Sequence, residues 1–431
     1  MHIAVIGAGI VGVTTAYELA RDGHEATVFE RLGAVASDAS FAHPGLIAAG
    51  YSGLAAAAGR RSALPGPGWG APAELRPGAA ALAAHLPWLW RCWRAGAKRH
   101  RHDARERLYQ LERYSREQLL RCATRHQLEY EQAQPVTVLL RGERDWAAAE
   151  RLAEQLSAWQ VPHALVDAAR CRELEPGLSP ATPLRGGLVL RDGEAGNCRR
   201  FAQLLRAEAE QLGARFRFGT EVLALDAADQ GAAATRVQLR YRAAPGDDGQ
   251  AAALHAHGFD AAVVCTGAAA DRLLRPLGLR LPLLPVWGYS VSAALRDAAD
   301  GRQLGPLGAV IDQRFDVTIA RLGRRVRVAG GIELGGPPGR IDAATVATLH
   351  RVLDDWFPGV AHSTRAQTWK GARPLLPDGL PVIGASARPG VWLNLGHGAH
   401  GWALACGSAR LLADQLAGRA PALDAAGYAP R

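Results

Sequence analysis

The chain opens with His2-Ile3-Ala4-Val5-Ile6-Gly7-Ala8-Gly9-Ile10-Val11-Gly12, a short β-branched run that breaks into three glycines spaced G-x-G-x-x-G. Val11 to Ala20 continues with helical spacing, and Glu25-Ala26-Thr27-Val28-Phe29 is a second strand-like run ending at Glu30. The three glycines serve different physical ends. Gly7 permits a tight turn, Gly9 lets backbone N–H groups approach a pyrophosphate at the positive helix end, and Gly12 lets helix and strand pack closely. A carboxylate at Glu30 suits the hydroxyls of an adenosine ribose and opposes the 2′-phosphate of NADP. The stretch therefore predicts a βαβ dinucleotide-binding unit, which excludes most other fold classes at the outset.

Outward from this unit, strands are expected at Pro135–Leu140, His163–Val166, Leu188–Leu190, Arg215–Phe218, Glu221–Leu225, Val237–Tyr241, Asp260–Cys265, Val317–Ala320, Val326–Ala329 and Val391–Asn394. Helices are expected at about 88–126, 145–159, 199–212, 343–356 and 401–416. The Ala/Gly/Pro-rich stretch from Gly53 to Pro87 reads as loops. Residues 199 to 267 look like a return to the first sheet.

Composition narrows the function. With 48% hydrophobic and 21% charged residues, the 431-residue chain is an ordinary globular protein. No apolar run is long enough to span a bilayer, and the N-terminus lacks the basic and apolar regions of an export signal, so a cytoplasmic location is expected. The net charge is +9, but every basic residue except Lys98 and Lys370 is arginine; this reflects codon usage and weakens a nucleic-acid reading. The six cysteines are scattered without C-x-x-C spacing, and no His/carboxylate set completes a metal site.

Two further signals separate a flavin from NAD. Cys265-Thr266-Gly267 closes a buried strand, and Asn394-Leu395-Gly396-His397-Gly398 leads into a C-terminal helix whose positive end can stabilise charge on a reduced flavin. At these residues, together with Ser40, Gly45, Gly50-Tyr51, Phe216-Arg217-Phe218, Gly288-Tyr289-Ser290, Arg373-Pro374, Pro377-Asp378-Gly379, Trp392-Leu393-Asn394, Gly401-Trp402 and Ala405-Cys406-Gly407-Ser408, the sequence resembles the FAD-dependent D-amino-acid dehydrogenases of the D-amino-acid oxidase superfamily, from Ile3 to about Ala422.

The resemblance implies an α/β fold: a Rossmann-like FAD-binding domain assembled from residues 1–55, 195–270 and 385–431, and a mixed or antiparallel-sheet substrate domain from 56–194 and 271–384. It implies oxidative deamination of D-amino acids to 2-oxo acids and ammonia, with hydride passing from Cα to flavin N5 and electrons onward to a quinone. The alternative is a related flavin amine oxidase that acts on glycine, sarcosine or a cyclic imino acid and uses oxygen. Cofactor contacts are expected along Val5, Ile6, Gly7, Ala8, Gly9, Ile10, Val11 and Gly12, at Glu30 and Arg31, and at Ser40 and Gly45. Further contacts are expected at Val222, at Thr266 and Gly267, and at Gly396, Gly398, Gly401 and Trp402.

For the substrate, Arg373 in Gly371-Ala372-Arg373-Pro374 is expected to hold the carboxylate, since a guanidinium fork matches it bidentately. Tyr289 is expected to add a hydroxyl to the same group, and His397 to sit beside the flavin and fix its orientation or charge. No general base is assigned, because hydride transfer from a neutral amine needs none. Phe41, His43, Pro44, Leu46, Trp287 and Leu376 depart from the family pattern and make the expected substrate site bulkier and more apolar. Residues 85–107 join Trp88, Trp90 and Trp93 to a cluster of seven Arg/Lys against two acids. That pairing of indoles with positive charge suggests a peripheral contact with the inner face of the plasma membrane.

Overall fold

The computed structural model describes residues 1–51, 85–95, 98–227, 237–243, 253–297, 304–337 and 339–430; the side chains of residues 98–101 and 363 are not described. Most of the stretch expected as loops from Gly53 to Pro87 lies outside these residues, as do the side chains of the basic run Lys98-Arg99-His100-Arg101.

The N-terminal unit forms strand His2–Ile6, helix Ile10–Arg21 and strand Glu25–Phe29, with the two strands parallel. Strand Ala261–Val264 pairs parallel on the other side of His2–Ile6, Val391–Leu395 lies beyond it, and Arg215–Arg217 adds to Glu25–Phe29. Val382–Ala385 closes the far edge antiparallel, completing a six-stranded sheet. The near-continuous apolar runs of its central strands follow from burial on both faces. Ile3 and Val5 face a helical layer with Val13, Phe201, Leu205 and Trp402, while Ala4 and Ile6 face Val222, Leu239 and Phe259. That second face is covered by an antiparallel three-stranded sheet of Thr220–Ala227, Val237–Ala243 and Leu254–Phe259. The expected return of residues 199–267 to the first sheet is thus made by two strands only.

The region expected as one helix from 88 to 126 is helical over Leu86–Ala95 and Lys98–His126 among the described residues. The longer one buries Leu108, Leu111 and Leu119 in the core beneath the first sheet. There it crosses the C-terminal helix Gly401–Leu416 so closely that a Cβ on Gly407 would lie 2.8 Å from Ser115. Although it falls within the segment expected in the second domain, this helix therefore packs with the first.

The second sheet has eight strands in the order Gln367–Leu375, Leu284–Ala294, Arg325–Leu334, Val317–Leu322, Ala309–Asp312, Val136–Leu140, Gly186–Leu190 and His163–Asp167. All neighbours are antiparallel except Ala309–Asp312 with Val136–Leu140, so the sheet is mixed as expected. Helix Ala343–Trp356 buries Leu349, Val352 and Trp356 against Tyr289, Val291 and Val328 of this sheet.

Candidate active site

A cavity of about 1150 Å³ lies between the carboxyl edge of the six-stranded sheet and the eight-stranded sheet. Ligands favour the carboxyl ends of parallel strands because the loops there converge and helix N-termini point inward.

The glycine turn forms one end. Gly7 has φ +100, and a Cβ there would lie 2.8 Å from the Cys265 carbonyl; a Cβ on Gly12 would lie 1.9 Å from the Gly7 carbonyl. Neither position accepts a side chain. Gly9 differs: its Cβ would meet only Ser40 Oγ, at 3.5 Å, so its bareness serves the cavity, which it lines, and not internal packing. The first turn of a helix has N–H donors without intrahelical partners; one of them, on Ile10, donates to Ser40 Oγ at 3.1 Å. Glu30 accepts from Ala8 N–H at 2.7 Å and Leu32 N–H at 2.9 Å, which uses half of the roughly four acceptor sites of a carboxylate. The rest of its capacity is open to a ribose.

FAD fits this lining. Four buried polar side-chain atoms on the cavity wall have no partner among the described residues: Thr266 Oγ1, Ser290 Oγ, Trp369 Nε1 and Asn394 Oδ1. Buried polar atoms are normally satisfied, so an unpartnered set along one wall points to a polar ligand. Asn394 is held in place by donating from Nδ2 to Thr15 Oγ1 at 3.0 Å.

At the other end, Arg373 lines the cavity with its guanidinium against the bare backbone of Gly288, where a Cβ would come within 2.3 Å of Nη2. Burial pulls its pKa down and the Asp316 charge raises it. Tyr289 lines the same space, but its hydroxyl donates to Glu333 and accepts from Asp342 N–H. The Tyr289 hydroxyl, expected to reach the substrate carboxylate, is here engaged by Glu333 and Asp342. Glu333 also pairs with Lys370 Nζ at 2.8 Å, and that ammonium sits 5.0 Å from the Trp287 ring centroid.

His397 is buried, and desolvation lowers its pKa to about 3. Ser408 donates its hydroxyl to the Ala405 carbonyl, so the 3.0 Å contact between His397 Nε2 and Ser408 Oγ is made by Nε2–H. The ring is neutral and fixed. It can orient a neighbour, while burial disfavours its imidazolium form. His43, which the sequence marks only as a departure, is similar: it donates from Nε2 to Ala399 O at 3.2 Å, accepts from Gly45 N–H at 3.1 Å, and has its pKa lowered by burial to about 3.

The cavity gathers Ile6, Gly7, Gly9, Ile10, Val11, Glu30, Arg31, Ser40, Val222, Thr266, Gly267, Tyr289, Arg373, Gly396, His397, Gly398, Gly401 and Trp402. Four residues expected at the cofactor do not line it. Val5 and Ala8 are buried in the sheet core, and Gly12 fills the helix–strand contact. Gly45, at φ +90, packs on Gly196 and accepts a 3.0 Å hydrogen bond from Trp402 Nε1. Sequence reading missed Asp316 and Lys370. The only signal for Asp316 was its place between two strand-like runs, where a turn residue is expected.

The family model for FAD-dependent oxidoreductases designated DAO matches residues 2–415. A D-amino acid dehydrogenase of Cereibacter sphaeroides (strain ATCC 17029 / ATH 2.4.9) is 39% identical over 436 residues, covering 99% of this chain and 94% of that protein. One from Rhizorhabdus wittichii is 36% identical over 432 residues, covering 98% of each chain. Among solved structures, glycine oxidase from Geobacillus kaustophilus shares the fold with a TM-score of 0.69 at 22% identity, covering 100% of this chain and 98% of that one.

Proposed function

This chain belongs to the DAO family of FAD-dependent oxidoreductases, and from that premise we propose that it oxidises D-amino acids to 2-oxo acids and ammonia. The reading rests chiefly on the cavity: a dinucleotide turn at one end, and at the other a guanidinium with no hydrogen bond or ion pair from the described residues. The D-amino acid dehydrogenases to which the chain is similar supply the substrate class.

FAD, when bound, is the two-electron acceptor for the Cα–H bond. The protein's part is placement. Gly7, Gly9 and the first turn of helix Ile10–Arg21 would hold the pyrophosphate, and Glu30 the ribose. Thr266, Gly267, Asn394, Gly396 and Gly398 would line the ring's surroundings. Arg373 would take the substrate carboxylate bidentately and so present one face of Cα. With His43 and His397 neutral, neither of these imidazoles competes for that carboxylate. The domain division proposed from the sequence, with residues 1–55, 195–270 and 385–431 binding FAD, puts the reaction at the junction of the two sheets.

We further propose a quinone acceptor reached from a membrane surface. No helix of the described residues is long and apolar enough to cross a membrane. Helix Leu86–Ala95 instead exposes Leu86 (57%), Trp90 (53%) and Trp93 (69%) at spacing i, i+4, i+7, flanked by Arg91 and Arg94. Trp88, Leu89, Cys92 and Trp93 also line the cavity, so a helix lying in the headgroup layer would put the active site beside a lipid-dissolved quinone.

The decisive experiment is anaerobic mixing of the purified yellow protein with D- and L-amino acids while flavin absorbance is followed. Bleaching by D-enantiomers alone is expected; bleaching by L-enantiomers, or peroxide formed at the rate of substrate loss in air, would replace the reading. Flotation with anionic liposomes tests the membrane contact, which is expected to weaken with salt and with Trp90→Ser/Trp93→Ser.

A further inference from the structure

The cavity holds a second charge that the function above does not use. Asp316 ends the turn between strands Ala309–Asp312 and Val317–Leu322 with φ +51, a left-handed conformation that Asp tolerates better than most residues. Its side chain lines the cavity with Tyr51, Ile311 and Thr318.

Several other charges of the lining have partners of their own. Arg31 pairs with Asp38, Arg272 with Glu221, and Lys370 with Glu333; Glu30 accepts two backbone N–H groups and Asp378 accepts from Leu380 N–H. Among the described residues, Asp316 and Arg373 form no ion pair; burial raises the Asp316 pKa and the Arg373 charge opposes that rise.

This arrangement constrains the substrate. When a carboxylate settles on Arg373, the counter-charge felt by Asp316 is cancelled, and a carboxylate enclosed by protein without compensation is costly. During oxidation of the neutral amine the α-nitrogen takes up positive charge as its lone pair forms the C=N bond and hydride leaves Cα, but that charge sits at the reacting end, next to the substrate carboxylate. A cation at the end of the substrate's side chain would supply compensation that is present before and throughout the reaction.

We infer that Asp316 binds a positive group at the end of the substrate's side chain, so that D-amino acids with terminal amino or guanidino groups are preferred. This rests on the D-amino-acid reading above. The aromatic rings of Tyr51, Trp287 and Trp369 on the cavity wall suit the alkyl stem and the cation together.

The test compares kcat/KM for D-lysine and D-arginine with that for D-norleucine. The wild type is expected to favour the cationic substrates by about 30-fold, in keeping with one charge-assisted hydrogen bond. Asp316→Asn should abolish that ratio, and Asp316→Lys should move the preference towards D-glutamate. A ratio near one in the wild type, or an equal loss on all substrates in Asp316→Asn, overturns the inference.

Calorimetry gives a readout independent of turnover. The holoenzyme is expected to bind 6-aminohexanoate about tenfold more tightly than hexanoate, and Asp316→Asn to bind both alike. Equal binding by the wild type overturns the assignment of Asp316. A protein that shows the calorimetric preference but is bleached by no D-amino acid would refute the proposed reaction and leave Asp316 as a cation site.

Discussion

The two ends of the cavity are built in opposite ways. At the glycine turn, residues 6–12 carry the geometry within one local unit, and Glu30 follows from the next strand. At the other end Tyr289 stands on one strand, Asp316 in a turn, and Lys370 and Arg373 on another strand, up to 84 residues apart in the chain. One end is rigid because backbone leaves no room for side chains. The other works through charges whose partners are chosen by packing. Local sterics is written in residue spacing, whereas charge pairing across a sheet is not.

The largest expected effect is at Gly12. Gly12→Ala places a methyl 1.9 Å from the Gly7 carbonyl, and neither backbone segment can yield. A loss of about 3 kcal/mol or more is expected, measured as poor soluble yield and low flavin content. Gly9→Ala, whose Cβ meets only Ser40 Oγ at 3.5 Å, should fold normally and hold FAD less tightly. Equal behaviour of the two variants would dissolve the distinction between packing and ligand glycines.

At the opposite end, Arg373→Ala should raise KM about 100-fold, close to 2.7 kcal/mol, with little change in Tm because no group among the described residues is bonded to the guanidinium. Unchanged steady-state kinetics would move the carboxylate clamp elsewhere.

A pH experiment probes the buried His397. Its pKa is about 3 in the folded chain against an ordinary value of 6.5. Between those values the unfolded chain carries a proton that the folded chain lacks, so stability is complete above pH 6.5 and falls as pH drops below it. The slope per histidine approaches about 1.4 kcal/mol per pH unit. His397→Gln should flatten the acid limb of a denaturant-midpoint series; an unchanged limb would mean that the ring is protonated in the fold.

The smallest effect is expected for Tyr289→Phe. Its hydroxyl is engaged by Glu333 and Asp342, so KM should change by less than about threefold. A rise comparable to that of Arg373→Ala would show the hydroxyl turning to the substrate and would blur the contrast between support and contact at this end.

Much of the fold was legible in the sequence. The helices Ala343–Trp356 and Gly401–Leu416 end where apolar spacing predicts, and the strands around Val263 and Val391 join the first sheet as buried runs. In the site, Arg373 was legible through its motif. Asp316 was not: one aspartate in a turn looks like any other until the fold brings a guanidinium close enough to act on it. The hydrogen-bond partners of His397 and Tyr289 were not legible for a related reason, because sequence distance does not reveal neighbours such as Ser408 and Glu333.

By itself the sequence determined a dinucleotide turn, the alternation of strands and helices around it, and the family to which the chain belongs, since these depend on steric and periodic rules that act over a few residues. Only the tertiary structure decided which glycines face a ligand, which histidines are neutral and which charges remain without a partner. Burial and pairing are properties of three-dimensional neighbours, and the energy of an enclosed charge depends on what surrounds it, not on what precedes it in the chain.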